Sequence, residues 1–322
     1  MKLKHVLEFV RVEHTLFSLP FVLIGFVLAT RQFETDFIDL QSGNIDLLWI
    51  ILAAIGARGL AMALNRIIDK DIDGKNPRTA SRHLPTGKIS ELGAWALSFA
   101  FLITLLVSSL KLNSVAFKMA WLPVACFIVY PYTKRITWMC HFWIGLCLSL
   151  APAGAWVAVS ADSLGWASIL GSTSELSRDF AWFPEIFYIS LGVALWITSF
   201  DINYARMDLE IDREQGIQSF PARHGLNATR NLSILLTFAW VFFFLNSGLS
   251  EVSGSRDYSY TIWVPCVLTM GLLNLYVVTI SAKKSPESAF AMERFQSLLF
   301  RVSMLTGWVL LASLLFVQDK GP

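Results

Sequence analysis

The sequence predicts an all-α, polytopic membrane protein, with about nine transmembrane helices around a central cavity. Three observations predict it. Hydrophobic residues make up 55% of the 322 and charged ones 16%, against about 25% charged in an ordinary soluble domain. Mean hydropathy is positive, at +0.55. Finally, the basic residues are segregated between alternate connections, as membrane orientation requires.

Nine segments have the roughly 20 apolar residues that a spanning helix needs: 12–30, 47–68, 91–110, 115–133, 139–160, 182–204, 230–247, 259–281 and 298–317. The first follows Met1-Lys-Leu-Lys-His5 without a small-residue cleavage site, so it is expected to be a retained helix and not a removable signal. The second and sixth each run into a polar, acidic stretch. The fourth ends at the turn Tyr130-Pro-Tyr-Thr-Lys134-Arg135. With the N-terminus inside, 19 of the 26 Lys and Arg fall on the inner side and six on the outer. Arg58, deep in the second span, is counted on neither side. Chain 1–322 reads as a single membrane domain, two four-helix units plus one extra helix, because the acidic stretch recurs after four spans.

A net charge of only +2 argues against a nucleic-acid partner. Cys126, Cys140, Cys147 and Cys266 fall in apolar segments without CxxC spacing and read as small buried hydrophobes.

The acidic stretches carry the chemistry. Asn65-x-x-x-Asp69-x-x-x-Asp73 ends the second span, and Tyr204-x-x-x-Asp208-x-x-x-Asp212 ends the sixth. Steps of four return to one helix face, so each motif aligns two carboxylates with a neutral polar group. Asp71 and Glu210 fall off those faces, the latter toward solvent or Arg213. Both motifs end even-numbered spans and emerge on one side of the membrane. Carboxylate and phosphate oxygens suit Mg²⁺, so the pair points to a diphosphate held between two helices by bridging Mg²⁺, with Asn65, Asp69, Asp73, Asp208 and Asp212 as candidate ligands.

Basic residues follow both motifs. Arg78 and Arg82 stand four apart in a Pro- and Gly-punctuated loop, where guanidinium forks suit phosphate. Lys134 and Arg135 offer further phosphate contacts or loop anchoring, as does Arg223 after the second motif. Arg58 lies seven residues before Asn65, on the same helix face. An arginine in hydrocarbon calls for an anionic partner, either a carboxylated substrate or a buried carboxylate of another helix. Asp201, seven before Asp208, faces the same cavity more deeply and is a candidate proton acceptor or hydroxyl-orienting group, with Tyr204 beside it. His14 lacks a metal-spaced partner and reads as an interfacial residue.

These motifs resemble the UbiA superfamily of intramembrane aromatic prenyltransferases. The loop Arg78-Thr-Ala-Ser-Arg82-His-Leu-Pro, with Tyr130-Pro-x-x-Lys134-Arg135 and Ser219-x-Pro-Ala-Arg223, resembles its 4-hydroxybenzoate branch. His83 departs from the Glu or Pro expected there. The resemblance implies Mg²⁺ dependence, an allylic polyprenyl diphosphate donor and a small aromatic acid as acceptor, its carboxylate gripped by Arg58. It also implies a place in quinone biosynthesis, in a bacterial inner membrane with the site facing the cytoplasm. Glu13-His14-Thr15-x-Phe17 is reminiscent of a futalosine-route subgroup, which makes a carboxylated dihydroxynaphthoate the alternative acceptor. A rival from another class is a transporter for an anionic substrate, but transport sites usually lie near the membrane midplane.

Overall fold

A computed structural model describes residues 3–11, 15–33, 46–170, 184–249, 256–281 and 289–316; His14 lies outside them. Nine described helices are long and apolar enough to cross a membrane. They are α1 (Thr15–Gln32), α2 (Asp46–Ile68), α3 (Glu91–Leu112), α4 (Ser114–Ile136), α5 (Cys140–Leu164), α6 (Pro184–Tyr204), α7 (Phe220–Leu249), α8 (Arg256–Tyr276) and α9 (Ala289–Leu315).

Most ends fall within a few residues of the predicted spans, and two extend further. Helix α7 begins at Phe220, ten residues early, because a helical turn precedes a break at Gly225 (φ 77°, ψ 173°). That positive φ suits glycine. Helix α9 begins at Ala289, carrying the polar residues Glu293, Arg294 and Gln296 ahead of its apolar body.

Local signals fix several joints. Ser90 caps α3 by accepting from the Gly93 amide at 3.1 Å. Asn113 caps α4 through the Ala116 amide, and its Nδ2 donates to the carbonyls of Val157 and Ala158 on α5. One residue therefore terminates one helix through its backbone amide, and through its side chain starts the next and pins it to a third.

Helices α1, α5, α6, α7, α8 and α9 pack successively into a closed ring. Its interior is solid with aromatics: Phe17, Phe21, Trp196, Trp240 and Phe244 are buried together, and the Phe17 and Trp196 rings stack at 4.9 Å. Helix α2 packs on α1, α3 and α4, with α4 closing against α5. A cavity lies on this side. On α3, Leu92, Trp95, Phe99, Ile103, Val107 and Leu110 recur every three or four residues and are all exposed. An outward apolar stripe of that extent suits lipid, not water.

Two glycines set the closest approaches. A Cβ at Gly25 on α1 would lie 2.2 Å from the Pro152 carbonyl oxygen of α5, and one at Gly145 would lie 2.3 Å from the Ala194 carbonyl of α6. Gly25→Val is expected to lower the melting temperature in detergent, as overpacking against backbone costs on the order of 1–3 kcal/mol or more. Gly154→Ala, where a Cβ meets nothing within 4 Å, should leave it unchanged. Fluorescence-detected size exclusion after a heating series reads both.

Candidate active site

Helix α2 gives way at Asp69 to the short helix Lys70–Lys75, but the ladder runs through: the amides of Asp69 and Asp73 donate to the carbonyls of Asn65 and Asp69 at 3.0 and 2.8 Å. The steps of four therefore hold. Asn65 Nδ2 donates to Asp69 Oδ2 at 2.9 Å, Asp69 and Asp73 are buried, and Asp71 is exposed. The second motif is less regular. After Tyr204 the chain tightens into the 3₁₀ turn Ala205–Asp208 and then forms the short helix Leu209–Glu214. Asp208 and Asp212 are half-buried, while Glu210 points outward to Arg213 at 3.4 Å.

The two motifs adjoin, as their shared side of the membrane demands. Asn76 Nδ2 and Arg78 Nε, from the loop behind the first, donate to Asp208 Oδ1 at 2.9 and 2.8 Å, and a second Arg78 nitrogen reaches Oδ2. Arg82 Nη1 bonds both oxygens of Asp73 at 2.7 Å, and Lys134 bonds Asp69. Arg135 donates to the Ile68 carbonyl at 2.7 Å, with Asp69 at 3.5 Å. The cations expected for phosphate thus clasp the carboxylates, since opposite charges in a half-buried site attract strongly. Burial raises the Asp69 carboxyl above its ordinary value despite Lys134. Burial alone would lower Arg78, but Asp208 raises it. Arg223 stands apart, exposed and bonded to Gln218 at 3.4 Å.

Tyr204 supports this arrangement from below. Its ring lies 5.5 Å from the Arg78 guanidinium, and its hydroxyl accepts from Gln296 of α9 at 2.9 Å. His83 docks the helix Leu3–Phe9 over the loop, with Nε2 3.3 Å from Glu8 and its ring against Phe9. The residue that departs from the expected pattern thus makes a local packing contact.

Beneath the charged mouth lies a cavity of about 520 Å³. Its walls are mainly apolar, with several small residues among them, including Ala53, Ala57 and Ala61 of α2 and Ala151 and Gly154 of α5. Its polar lining includes Arg58, Tyr130 and Asp201. Among the described residues Arg58 has no carboxylate partner, and its buried Nε has no hydrogen bond. Asp201 Oδ2 is 2.7 Å from His141 Nδ1, and the Phe220 amide donates to His141 Nε2 at 3.0 Å. Sequence reasoning missed His141 and Gln296. A buried histidine inside the apolar segment 139–160 was the available signal for the first; Gln296 had none.

The donor set fits a divalent cation bound with phosphate. All its oxygens are hard, and among the described residues no three acidic, His or Cys side chains converge on one point. An ion here would take one or two protein carboxylates and complete its shell with phosphate and water, as Mg²⁺ prefers. The expected transporter geometry is not met, because the carboxylates cluster at helix ends.

The family model described as UbiA prenyltransferase family matches residues 18–299. A 4-hydroxybenzoate octaprenyltransferase of Haemophilus ducreyi is 29% identical over 205 residues, 64% of this chain and 67% of that protein. One of Vibrio atlanticus is 30% identical over 52% of this chain and 53% of its own length. The matched stretch thus spans between about half and two thirds of these relatives. Among solved structures, the apo UbiA homolog of Aeropyrum pernix K1 superposes with a TM-score of 0.71 at 28% identity, covering 94% of this chain and 97% of that one. A UbiA homolog of Archaeoglobus fulgidus bound to GPP and Mg²⁺ gives 0.63 at 17% identity over 96% and 99%, a likeness of fold.

Calorimetry of Mg²⁺ in the presence of inorganic diphosphate should show binding that Asp69→Ala or Asp208→Ala weakens at least about tenfold, one lost charged ligand contact being worth on the order of 1.5–3 kcal/mol. Asp71→Ala should bind as the parent does. Equal losses from all three would remove the two-motif site.

Proposed function

This chain belongs to the UbiA prenyltransferase family, and from that premise we propose that it transfers a polyprenyl group from an allylic polyprenyl diphosphate to the ring of 4-hydroxybenzoate, in quinone biosynthesis. One observation carries the reading: two facing carboxylate motifs, laced with Arg and Lys, close the mouth of an apolar cavity whose wall presents an arginine without a carboxylate partner and an aspartate. The curated relatives named for that reaction support the acceptor.

In this reading Asn65, Asp69, Asp73, Asp208 and Asp212 hold Mg²⁺, which when bound neutralises the diphosphate as it leaves. Arg78, Arg82, Lys134 and Arg135 exchange carboxylate oxygens for phosphate oxygens, adding charge where negative charge develops. Tyr204 keeps Arg78 over the site by its ring. The C–O bond breaks with its electron pair on the diphosphate, leaving an allylic cation in the apolar cavity. Those walls exclude water that would otherwise capture the cation.

Arg58 pairs the carboxylate of the aromatic acid, and Asp201 accepts its hydroxyl proton as the ortho carbon attacks. The ring proton then leaves to the diphosphate, and Asp201 returns its proton to the oxygen. The product is prenylated 4-hydroxybenzoate and protonated diphosphate. The excess of Lys and Arg around the acidic helix ends supports a cytoplasm-facing site in a bacterial inner membrane.

Membranes carrying the protein, supplied with Mg²⁺ and a polyprenyl diphosphate, should prenylate 4-hydroxybenzoate. Prenylation of a carboxylated dihydroxynaphthoate in its place would overturn the acceptor. Asp69→Ala and Asp208→Ala are expected to abolish turnover.

Arg58→Ala should raise the KM for the aromatic acid steeply and leave that for the prenyl diphosphate nearly unchanged, since losing one partner of a desolvated charge pair costs on the order of 2–5 kcal/mol. Arg58→Lys should rescue part of this, a point charge being a poor substitute for a fork. A stable Arg58→Ala protein with an unaltered KM for the acid would refute the assignment.

A further inference from the structure

We propose that His141 is the positioning residue for Asp201, its neutral imidazole holding one carboxylate oxygen so that the other faces the acceptor's hydroxyl. This rests on the reading of Asp201 given above.

The hydrogen bonds define the tautomer. A backbone amide can only donate, so the bond from Phe220 N at 3.0 Å makes His141 Nε2 an acceptor without a proton. The ring proton therefore sits on Nδ1 and is donated to Asp201 Oδ2 at 2.7 Å. Both nitrogens are committed and the side chain is only 3% exposed. Taking up a further proton would break the bond from Phe220. The imidazole is therefore a fixed donor and not itself the base.

Asp201 differs from its partner in reach. Its side chain is 22% exposed and lines the cavity, and among the described residues Oδ1 makes no hydrogen bond. One oxygen is held and the other faces the acceptor space. The ring is in turn held from three helices. His141 stands at the start of α5, Asp201 lies on α6, and Phe220 begins α7; Thr198 of α6 also donates to the His141 carbonyl at 3.2 Å. The Phe220 end continues into the loop from the second motif, where the amides of Ile217 and Gln218 donate to the carbonyls of Asp212 and Lys134. The acceptor-side carboxylate and the diphosphate-side loop thus share one imidazole as their common strut.

Two near-isosteric substitutions separate its two bonds. His141→Asn keeps an N–H near Nδ1 for Asp201 and gives up Phe220. His141→Gln keeps an acceptor near Nε2 for Phe220 and gives up Asp201. In nanodiscs with Mg²⁺, a polyprenyl diphosphate and 4-hydroxybenzoate, Asn should hold kcat within about threefold of the parent. Gln should lower kcat by roughly 30-fold, the worth of a charge-assisted hydrogen bond of about 2 kcal/mol, with the prenyl diphosphate KM unchanged. In an Asp201→Asn background Gln should cost little more, as coupled neighbours are non-additive. A Gln variant with parental kcat, losses that add to those of Asp201→Asn, or equal losses in kcat and melting temperature for both variants would overturn the proposal. A second readout needs no substrate. With ¹⁵N-labelled histidine, His141 should give the signals of a neutral ring protonated on Nδ1, shifted by Asp201→Asn but not by Asp71→Asn. An Nε2-protonated or doubly protonated ring would sink the inference even in an active enzyme. Failure of the parent protein to prenylate 4-hydroxybenzoate would instead sink the functional reading and leave this test standing.

Discussion

Charge compensation between the two carboxylate motifs is the constraint on which the rest of the site depends. Buried or half-buried carboxylates at neighbouring helix ends repel one another and cannot be left without counter-charge. The chain meets this with the loop behind α2, which sends Asn76 and Arg78 across to Asp208 while Arg82 turns back to Asp73. The turn after α4 supplies Lys134 to Asp69. These bonds tie the ends of α2 and α4, already packed on one another, to the end of α6, which packs mainly on α5 and α7. The charged mouth is therefore a structural tie as well as the proposed reaction site.

That arrangement explains why the fold puts its solid core on one side. The stacked aromatics among α1, α5, α6, α7 and α9 give a rigid wall, and Gly25 and Gly145 allow α1, α5 and α6 to approach nearly backbone to backbone. On the other side, alanines of α2 with an alanine and a glycine of α5 line the cavity, and their short side chains leave space. Close packing is the default of protein interiors. A persistent apolar void thus reflects side chains too short to fill it, placed at positions where longer ones would.

Much of this was legible in the sequence. The spans were, because hydrocarbon demands about 20 apolar residues and punishes charge. The steps of four in Asn65, Asp69 and Asp73 survived a change of helix at Asp69, since the hydrogen-bond ladder continues through it. Asp71 and Glu210 fell off the site for the same geometric reason. Other features were not legible. The break at Gly225 lies in a stretch whose Pro221, Arg223 and His224 read as loop, yet one helical turn forms there. The carboxylate partners of the loop cations depend on three-dimensional proximity that periodicity does not encode. His141 and Gln296 act through partners 60 and 92 residues away; a histidine within an apolar segment hinted at the first, and no local pattern marks the second.

In the proposed reading, Arg58 and Asp201 on the cavity wall define a length as well as a chemistry. Arg58 sits two helical turns before Asn65, and Asp201 nearly two before Asp208, so both lie inward of the carboxylates by a similar depth along facing helices. A molecule spanning from one to the other must carry an anion at one end and a hydroxyl at the other, with a flat body between alanine-lined walls. In the proposed reading the diphosphate end of a donor stays outside that interval, at the charged mouth. In the same reading the reacting carbon lies where the ionic and apolar regions join.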